Sequence, residues 1–307
     1  MYDEWRVGFA RRPINHVLEP EALTADAIVW LPPCPRSFQF IADPFGIERD
    51  GVTTIFVEAF DYRVRRGEIH YYQYRGDALI GQGLALAEPF HLSYPSLIED
   101  GGELYMLPEG YKSGGLTLYR CERFPDRWTP VQRLLDLPAI DATVVKHDGR
   151  WWMFHALPGP EDRAMRQLHV AYADDLKGPW TSHPGNPVRT GFLESRPGGT
   201  AFAHEGVLYL PVQECRPTYG AAIRLLRIDA LTPTDFAASL VHRITPKGLL
   251  DGFADGLHTV SGDQRLTVID VKGLRRSPAE KRIKLQYKLR RLFGLNGPRR
   301  RNRADAA

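Results

Sequence analysis

The sequence predicts an all-β protein: a five-bladed β-propeller over residues 1–274, followed by a short basic helix or tail over residues 275–307. A pattern of strand, tight turn and strand recurs five times before residue 275, with further strand-like segments between the copies. No long segment with helical periodicity occurs in the same region. A propeller blade of four strands takes roughly 40–50 residues, so five blades fit the 307-residue chain.

The first three copies align residue by residue. They are "ADPFGIERDGVTTIFVEAF" (42–60), "SYPSLIEDGGELYMLPEGY" (93–111) and "IDATVVKHDGRWWMFHALP" (140–158). Asp43, Tyr94 and Asp141 occupy one equivalent position, and a turn glycine follows eight residues later in each copy. Runs of β-branched and aromatic residues on both sides of such a turn predict a β-hairpin.

Two looser copies complete the set. They are "SRPGGTAFAHEGVLYLPVQE" (195–214) and "GLHTVSGDQRLTVIDVKG" (256–273), with Arg196 or Pro197 and His258 at the equivalent position. The first strand of each blade lines the axis, so these positions predict a ring of side chains at one mouth of the axial channel. The N-terminal segment "EWRVGFA" should pair with the last blade, because a closed ring leaves no exposed edge.

The charge is divided between the propeller and the tail. Twelve of the 40 Lys and Arg, but only one of the 37 Asp and Glu, lie between residues 275 and 303, which leaves 28 basic and 36 acidic residues elsewhere. Ser277 as N-cap, Pro278 at the first helical position and Glu280 in a capping box predict a helix start, with Gly294 as the stop. The pattern leaves three roles for the tail: a solvated helix that packs on the acidic propeller, contact with an anionic membrane, or contact with nucleic acid.

Composition and motifs exclude several classes of protein. The N-terminus has no apolar segment of signal-peptide length and no run of 18 apolar residues occurs, which predicts a cytoplasmic protein. Cys34, Cys121 and Cys215 have no CxxC spacing and are expected to be buried thiols. The sequence contains no P-loop, GxGxxG, HExxH or GxSxG motif and no oxygen-rich calcium loop. We therefore expect no cofactor and no metal dependence.

Short stretches resemble known propeller families. Asp43 in "FIADPF" and Asp141 on the third inner strand resemble the acids of the five-bladed propeller glycosidases, the arabinanase and xylosidase group and the invertase and levansucrase group. "FIADPF", "HLSYPS", "DATVVKHDGRWWMF", "SRPGGT" and "LHTV" resemble more closely the N-terminal propeller domain of plant glucosamine inositolphosphorylceramide transferases and its bacterial stand-alone relatives. This resemblance runs from about Trp5 to Val271 and indicates the fold and the subfamily. It does not indicate the activity, because the plant proteins carry a separate glycosyltransferase domain.

The resemblance implies catalytic roles for three acids. Asp43 is expected to be the base or nucleophile, Asp141 the orienting acid and Glu194, just before "SRPGG", the proton donor. Glycosidic bond cleavage requires one carboxylate to assist attack and one protonated carboxyl to protonate the leaving oxygen. Pro44 favours extended backbone angles at Asp43, which would fix the direction of its carboxylate.

Five further residues are predicted to contact substrate: Glu58, Tyr94, Glu109, Arg196 and His258. Glu58 and Glu109 end second strands that run back toward the mouth, and Arg196 and His258 could bind an anion. Structural caps and contacts between blades are the alternative roles for all of these side chains.

The leading hypothesis is a carbohydrate-active enzyme that hydrolyses or transfers a glycosyl group of a glycoconjugate, with paired carboxylates at the mouth of the channel. The alternative is a non-catalytic sugar-binding or scaffolding propeller that serves a separate glycosyltransferase or tailoring enzyme in polysaccharide biosynthesis. The expected partners are a carbohydrate or glycoconjugate, a glycosyltransferase and, weakly through the tail, an anionic membrane. The acidic propeller argues against specific nucleic-acid binding.

Overall fold

A computed structural model describes residues 1–19 and 23–292 of the chain. It contains five antiparallel sheets of four or five strands, which confirms the predicted five-bladed β-propeller. The first strands, β1 (Tyr2–Ala10) and β2 (Val29–Trp30), belong to the last blade. The predicted stop at Gly294 and the rest of the tail lie outside the described residues.

Each blade follows one of the repeats. Blade one contains β3 (Gln39–Arg49), β4 (Val52–Asp61), β5 (Arg66–Arg75) and β6 (Ala78–Leu86). Blade two contains β7 (Ser93–Asp100), β8 (Glu103–Glu109), β9 (Leu116–Arg123) and β10 (Arg127–Leu135). Blade three contains β11 (Ile140–His147), β12 (Arg150–Ala156), β13 (Gln167–Ala173), β14 (Thr181–Ser182) and β15 (Arg189–Thr190).

The last two blades have shorter inner strands. Blade four contains β16 (Arg196–Pro197), β17 (Phe202–His204), β18 (Val207–Glu214), β19 (Ala222–Leu231) and β20 (Phe236–Ile244). Blade five joins β21 (Val260–Gly262) and β22 (Thr267–Arg275) to β1 and β2. The helices are α1 (Arg163–Arg166), α2 (Glu280–Leu292) and the 3-10 turns Ile14–Leu18, Ala25–Ala27 and Tyr111–Ser113.

The ring is closed by the N-terminal strand, as the sequence predicts. β1 pairs antiparallel with β22 along its whole length, from Tyr2 opposite Arg275 to Ala10 opposite Thr267. Because β22 ends at Arg275, the predicted division after residue 274 falls one residue inside this strand. The strand edge that β22 would otherwise expose is thereby paired with β1.

Apolar side chains between neighbouring blades form the core. Between blades one and two, Phe56 packs edge-on against Trp128 at 5.5 Å between ring centroids, beside Met106. Similar clusters lie between the other blades, for example Trp151 and Met153 against blade two. Each such large side chain contributes about 1.5–3 kcal/mol when it is removed from water.

A β-bulge interrupts the innermost strand of each of the first three blades. The pairing shifts between Ala42 and Phe45, between Ser93 and Ser96, and between Ile140 and Thr143. At these bulges Asp43, Tyr94 and Asp141 have φ angles of 50°, 45° and 48°. The expectation of extended backbone at Asp43 is therefore wrong, because the bulge holds this residue in the left-handed region in spite of Pro44.

Tyr94 joins three blades near the axis. Its side chain is completely buried, and its hydroxyl bonds the Thr143 hydroxyl at 2.8 Å. The same oxygen lies 3.0 Å from the carbonyl oxygen of Gly199 and accepts the Gly199 N–H at 2.6 Å. The hydroxyl of Tyr94, one of the predicted substrate residues, is thus fully engaged within the ring.

We expect Tyr94→Phe to lower the free energy of unfolding by about 2–3 kcal/mol, because it leaves the buried Gly199 N–H without this acceptor. Tyr62→Phe is the control, since it removes one partly buried hydrogen bond, to the Asp3 carbonyl, and should cost about 1 kcal/mol. Urea denaturation of both variants measures the difference. Equal losses would mean that the Tyr94 hydroxyl does not hold the blades together.

The C-terminal helix rests on the first strand and blade one. Ser277 Oγ accepts the Ala279 N–H at 3.2 Å, as expected of a cap. Glu280 does not complete a capping box; its carboxylate binds the Met1 amino group and Lys284, both at 2.6 Å. The helix side chain Ile283 is buried against the propeller.

Truncation after Arg276 should leave the propeller folded, because all strand pairing ends at Arg275. We expect a loss in melting temperature of less than about 5 °C, since the missing contacts are few. Truncation after Val271 removes four residues of β22 and should prevent cooperative folding. Melting curves followed by circular dichroism test both chains, and an unfolded chain ending at Arg276 would make the helix part of the core.

Candidate active site at the propeller axis

Five carboxyl side chains converge near the axis. Each of them is exposed by 6% or less of its surface, and they come from blades one, two, three and five. The five residues are Asp43, Glu58, Glu109, Asp141 and Asp270. The charges of Asp43, Asp141 and Asp270 act on the pKa of Glu58, so these groups form one electrostatic unit.

His258 links two of these acids where blade five meets blade one. Its Nδ1 lies 2.7 Å from Asp270 Oδ2, and its Nε2 lies 3.4 Å from Asp43 Oδ1. The indole of Trp5 stacks on the imidazole with 3.8 Å between ring centroids. Burial alone would lower the pKa of His258, but Asp270 and Asp43 raise it above the ordinary value, which favours an imidazolium between the two carboxylates.

Asp270 also receives backbone donors. One carboxylate oxygen accepts the N–H groups of His258 and Thr259 at 3.0 Å each, and the other accepts the N–H of Asp43 at 3.1 Å. The Thr259 hydroxyl donates to Asp43 Oδ1 at 3.1 Å. The bulge at Asp43 thus turns a backbone donor out of the strand ladder and onto a carboxylate.

Asp141 has a different set of partners. Arg196 Nε and Gln213 Nε2 both donate to its Oδ2 at 2.7 Å. Its own N–H lies 3.3 Å from Glu109 Oε2, so the blade-three bulge repeats the arrangement seen at Asp43. Two donors on one oxygen hold this carboxylate in a fixed orientation.

The pKa values of Glu58 and Glu109 are both raised. Burial raises the pKa of Glu58 well above its usual value, and the neighbouring charges of Asp43 and Glu109 raise it further. Burial likewise raises the pKa of Glu109, as do the charge of Asp141 and the hydrogen bond to it, while Arg196 opposes the rise. These surroundings favour the protonated form of both glutamates, which is the form that a general acid requires.

Asp43 has the His258 imidazole and the Thr259 hydroxyl as close partners. Burial raises its pKa to about 6, and Asp141 and Asp270 act in the same direction, whereas His258 and the Thr259 hydroxyl favour the anion. The surroundings of Asp43 thus include groups that stabilise its anion, while those of Glu58 favour the protonated form. Environments that separate the pKa values of neighbouring carboxyl groups are typical of acid–base catalytic sites.

An aromatic side chain lies beside these groups. The ring of Tyr219 packs edge-on to His258 at 5.3 Å between centroids, and the Arg196 guanidinium lies 5.1 Å from the same ring. Lys272, buried over Trp5, donates from Nζ to the Tyr219 carbonyl and so anchors this loop. Tyr219 is half-buried and offers an aromatic face next to the acids.

The structure brings together most, but not all, of the residues predicted from sequence. Seven lie in this network or directly beside it: Asp43, Glu58, Tyr94, Glu109, Asp141, Arg196 and His258. Glu194 is partly exposed, and its carboxylate is bound to Arg189 at 2.5 Å rather than to any of these residues. Its predicted role as proton donor remains untested.

Several contributors were not predicted as site residues. Asp270 stands inside the apolar run "TVIDV", and a buried acid in such a run is the signal that could have indicated it. Gln213 pairs with Arg196 across blade four much as Glu109 pairs with Ser93 in blade two, so the repeat itself points to it. Tyr219 had no comparable signal, because it lies in a loop outside the repeat, whereas Lys272 lies on β22 in the most degenerate copy.

One group of side chains could hold a cation. Asp43, His258 and Asp270 each offer one ligand atom, and these atoms lie within 4.8 Å of one another. These atoms already contact one another, since the His258 imidazole lies between the two carboxylates as an ion-pair partner of each. The sequence-based expectation of no metal dependence remains a prediction.

The fold is of the kind found in propeller glycoside hydrolases. An α-L-arabinofuranosidase from Podospora anserina, solved in complex with cellotriose, superposes with a TM-score of 0.56 at 10% identity, covering 78% of this chain and 92% of that chain. A family 117 glycoside hydrolase of Zobellia galactanivorans superposes with a TM-score of 0.54 at 12% identity, covering 96% and 99%. At such low identity the likeness extends to the fold alone.

The chain belongs to the family described as "Glucosamine inositolphosphorylceramide transferase 1, N-terminal", which matches residues 32–248. The glucosamine inositolphosphorylceramide transferase 1 of Oryza sativa subsp. indica is 36% identical over 204 residues, and that of Arabidopsis thaliana is 33% identical over 204 residues. Each alignment covers 64% of this chain. The chain spans only about a quarter of the relatives' length, 27% and 26% respectively.

The buried glutamates predict a pH dependence of stability. Because the folded-state pKa of Glu58 is raised, the folded protein keeps a proton that the unfolded chain releases, and stability falls as the pH rises above the ordinary glutamate value. Glu58→Gln cannot titrate, so its stability relative to wild type should increase from pH 5 to pH 8, by up to about 1.4 kcal/mol per pH unit.

Urea unfolding at several pH values measures this difference. Glu205→Gln, at a side chain that is 84% exposed, is the control and should follow the wild type at every pH. A difference between Glu58→Gln and wild type that stays constant from pH 5 to pH 8 would contradict the raised pKa.

Proposed function

We propose that the propeller is a carbohydrate-active enzyme that cleaves or transfers a glycosyl group of a glycoconjugate at the axial mouth. The observation that carries this proposal is the convergence of five buried carboxyl groups that have different partners in one cluster at the axis. Asp43 contacts His258 and Thr259, which favour its anion, whereas burial and neighbouring charge raise the pKa of Glu58 and Glu109 and favour their protonated forms. Glycosyl transfer requires both forms at one site.

Each part of the cluster then has a role. Asp43 assists attack on the anomeric carbon as base or nucleophile, and His258 together with Asp270 fixes its orientation. Glu109 or Glu58 protonates the leaving oxygen. Burial raises the pKa of Glu109, and the charge of Asp141, which Arg196 and Gln213 hold in place, raises it further. Tyr219 provides an aromatic face for a sugar ring.

The family supports a glycoconjugate as substrate. The curated relatives are named as glucosamine inositolphosphorylceramide transferases, a name that combines an amino sugar with a lipid that contains a phosphate group. Arg196 lies in the network and offers a guanidinium for an anionic group. We therefore propose a substrate with a phosphate or carboxylate near the reacting sugar.

A second candidate is a sugar-binding or scaffolding propeller that serves a separate glycosyltransferase. The observation in its favour is the depth of the cluster, since the surface of Asp43 is only 6% exposed and that of Asp141 only 2%. In this case the acids stabilise the ring, and ligands contact the rim.

Asp43→Asn separates these functions. Phosphorylated and uronic-acid-containing glycans would be incubated with wild type and variant, and products and bound ligands followed by mass spectrometry. We expect turnover by the wild type and a loss of roughly 10³-fold or more in Asp43→Asn, because the attacking or basic carboxylate is removed.

The matched control is Asp50→Asn, the same change at a turn residue with a φ angle of 51°, which should keep full turnover. Circular dichroism should show both variants folded, so that a loss of turnover in Asp43→Asn does not reflect unfolding. Glycan binding without turnover by the wild type, unchanged in Asp43→Asn, would favour the binding module and overturn catalysis.

A further inference from the structure

The C-terminal helix α2 exposes a row of leucines. Leu285, Leu289 and Leu292 are exposed by 57%, 45% and 77% of their surface. Their spacing of four and three residues places them on one side of the helix. Three large exposed apolar side chains on a single helix of a protein surface indicate an interaction site.

The opposite side of the helix fastens it to the propeller. Ile283 is 9% exposed, Glu280 binds the Met1 amino group, and the ring of Tyr287 lies 4.7 Å from the Arg65 guanidinium. The helix is therefore oriented by its contacts. The leucine row is the side that no described residue covers.

Basic side chains border the leucines. Three basic residues of the same helix are exposed: Lys281, Arg282 and Lys288. The only acid of the helix, Glu280, lies in its first turn and binds the Met1 amino group. The sequence beyond residue 292 adds four arginines and one acid, Asp305. The rest of the protein carries an excess of acidic residues, so an anionic surface attracts this end of the molecule selectively.

The helix lies at the mouth end of the blades. Its residues Ile283 and Lys284 line one cavity with Phe38, which precedes β3, and Tyr62, which follows β4. The Tyr287 ring lies 4.7 Å from the guanidinium of Arg65, just before β5. Asp43 on β3 and Glu58 on β4 lie near these same strand ends. Asp43 comes five positions after Phe38, which is about 16 Å along an extended strand.

We propose that α2 docks on the surface of an anionic lipid bilayer, with the leucine row among the acyl chains and the basic side chains against the headgroups. A helix with this division of leucines and cations lies in the plane of a membrane surface. No helix within the described residues is long and apolar enough to cross a membrane, which is consistent with surface attachment. A phosphate backbone of nucleic acid would use the cations but leave the leucines in water.

Docking through α2 turns the axial mouth toward the bilayer. A sugar on a lipid headgroup would then reach the acids from the membrane side. This second step rests on the proposed function, whereas the docking itself does not. Binding to lipid vesicles therefore tests the docking alone, independently of turnover.

The test is cosedimentation of the full chain with vesicles of phosphatidylcholine containing 30% phosphatidylserine, and with vesicles of phosphatidylcholine alone. We expect binding to the anionic vesicles at about 0.1 M salt, and a strong decrease at about 0.5 M salt because the Debye length shortens. The double substitution Leu285→Ser with Leu289→Ser should weaken binding at least about tenfold, since each leucine loses its favourable transfer from water.

The matched control is Leu79→Ser with Leu84→Ser, which changes two leucines of β6 that are 41% and 40% exposed. It should bind like the wild type, and circular dichroism should show all proteins folded. Unchanged binding of the α2 variant would overturn the proposal, as would equal binding to neutral vesicles. Binding to duplex DNA that is insensitive to the leucine substitutions, without vesicle binding, would identify the helix as a nucleic-acid surface instead.

Discussion

The bridge from Asp43 through His258 to Asp270 is the interaction on which the rest of the site depends. It lies where the first and last blades meet, so it joins the two ends of the ring and arranges the central acids at the same time. Without the imidazole, two buried carboxylates would face each other across this seam at a large electrostatic cost. With it, Asp43, the proposed base or nucleophile, has an imidazole partner that stabilises its anion.

The repeated β-bulge explains how one strand pattern supplies different side chains to the axis. In blades one and three the bulge directs an aspartate inward and turns its N–H onto a neighbouring carboxylate. In blade two the same bulge carries Tyr94, whose hydroxyl fastens blades three and four. Left-handed backbone at a residue other than glycine costs on the order of 1 kcal/mol, and the surrounding hydrogen bonds offset it.

The sequence was sufficient for the blades, the closing strand and the ring of positions from Asp43 to His258, because a repeat reports the geometry that all copies share. It was insufficient where the copies differ. Asp270 belongs to the most degenerate copy, and Tyr219 lies in a loop outside the repeat. The alignment of the copies therefore could not predict that these two residues lie at the axis. Pro44 misled the backbone prediction, since a local preference was overruled by the bulge that the ring requires.

The balance of charge explains how so many acids can be buried together. Burial and neighbouring charge favour the neutral forms of Glu58 and Glu109, and the remaining three carboxyl groups share two basic partners, His258 and Arg196. The cluster is therefore much less negative than five acids suggest, which lowers the cost of burial. The same balance bears on recognition, because a nearly neutral site with a guanidinium does not repel an anionic glycan as a fully ionised cluster would. The contacts that stabilise the ring thus also suit the phosphorylated substrates that we propose for this site.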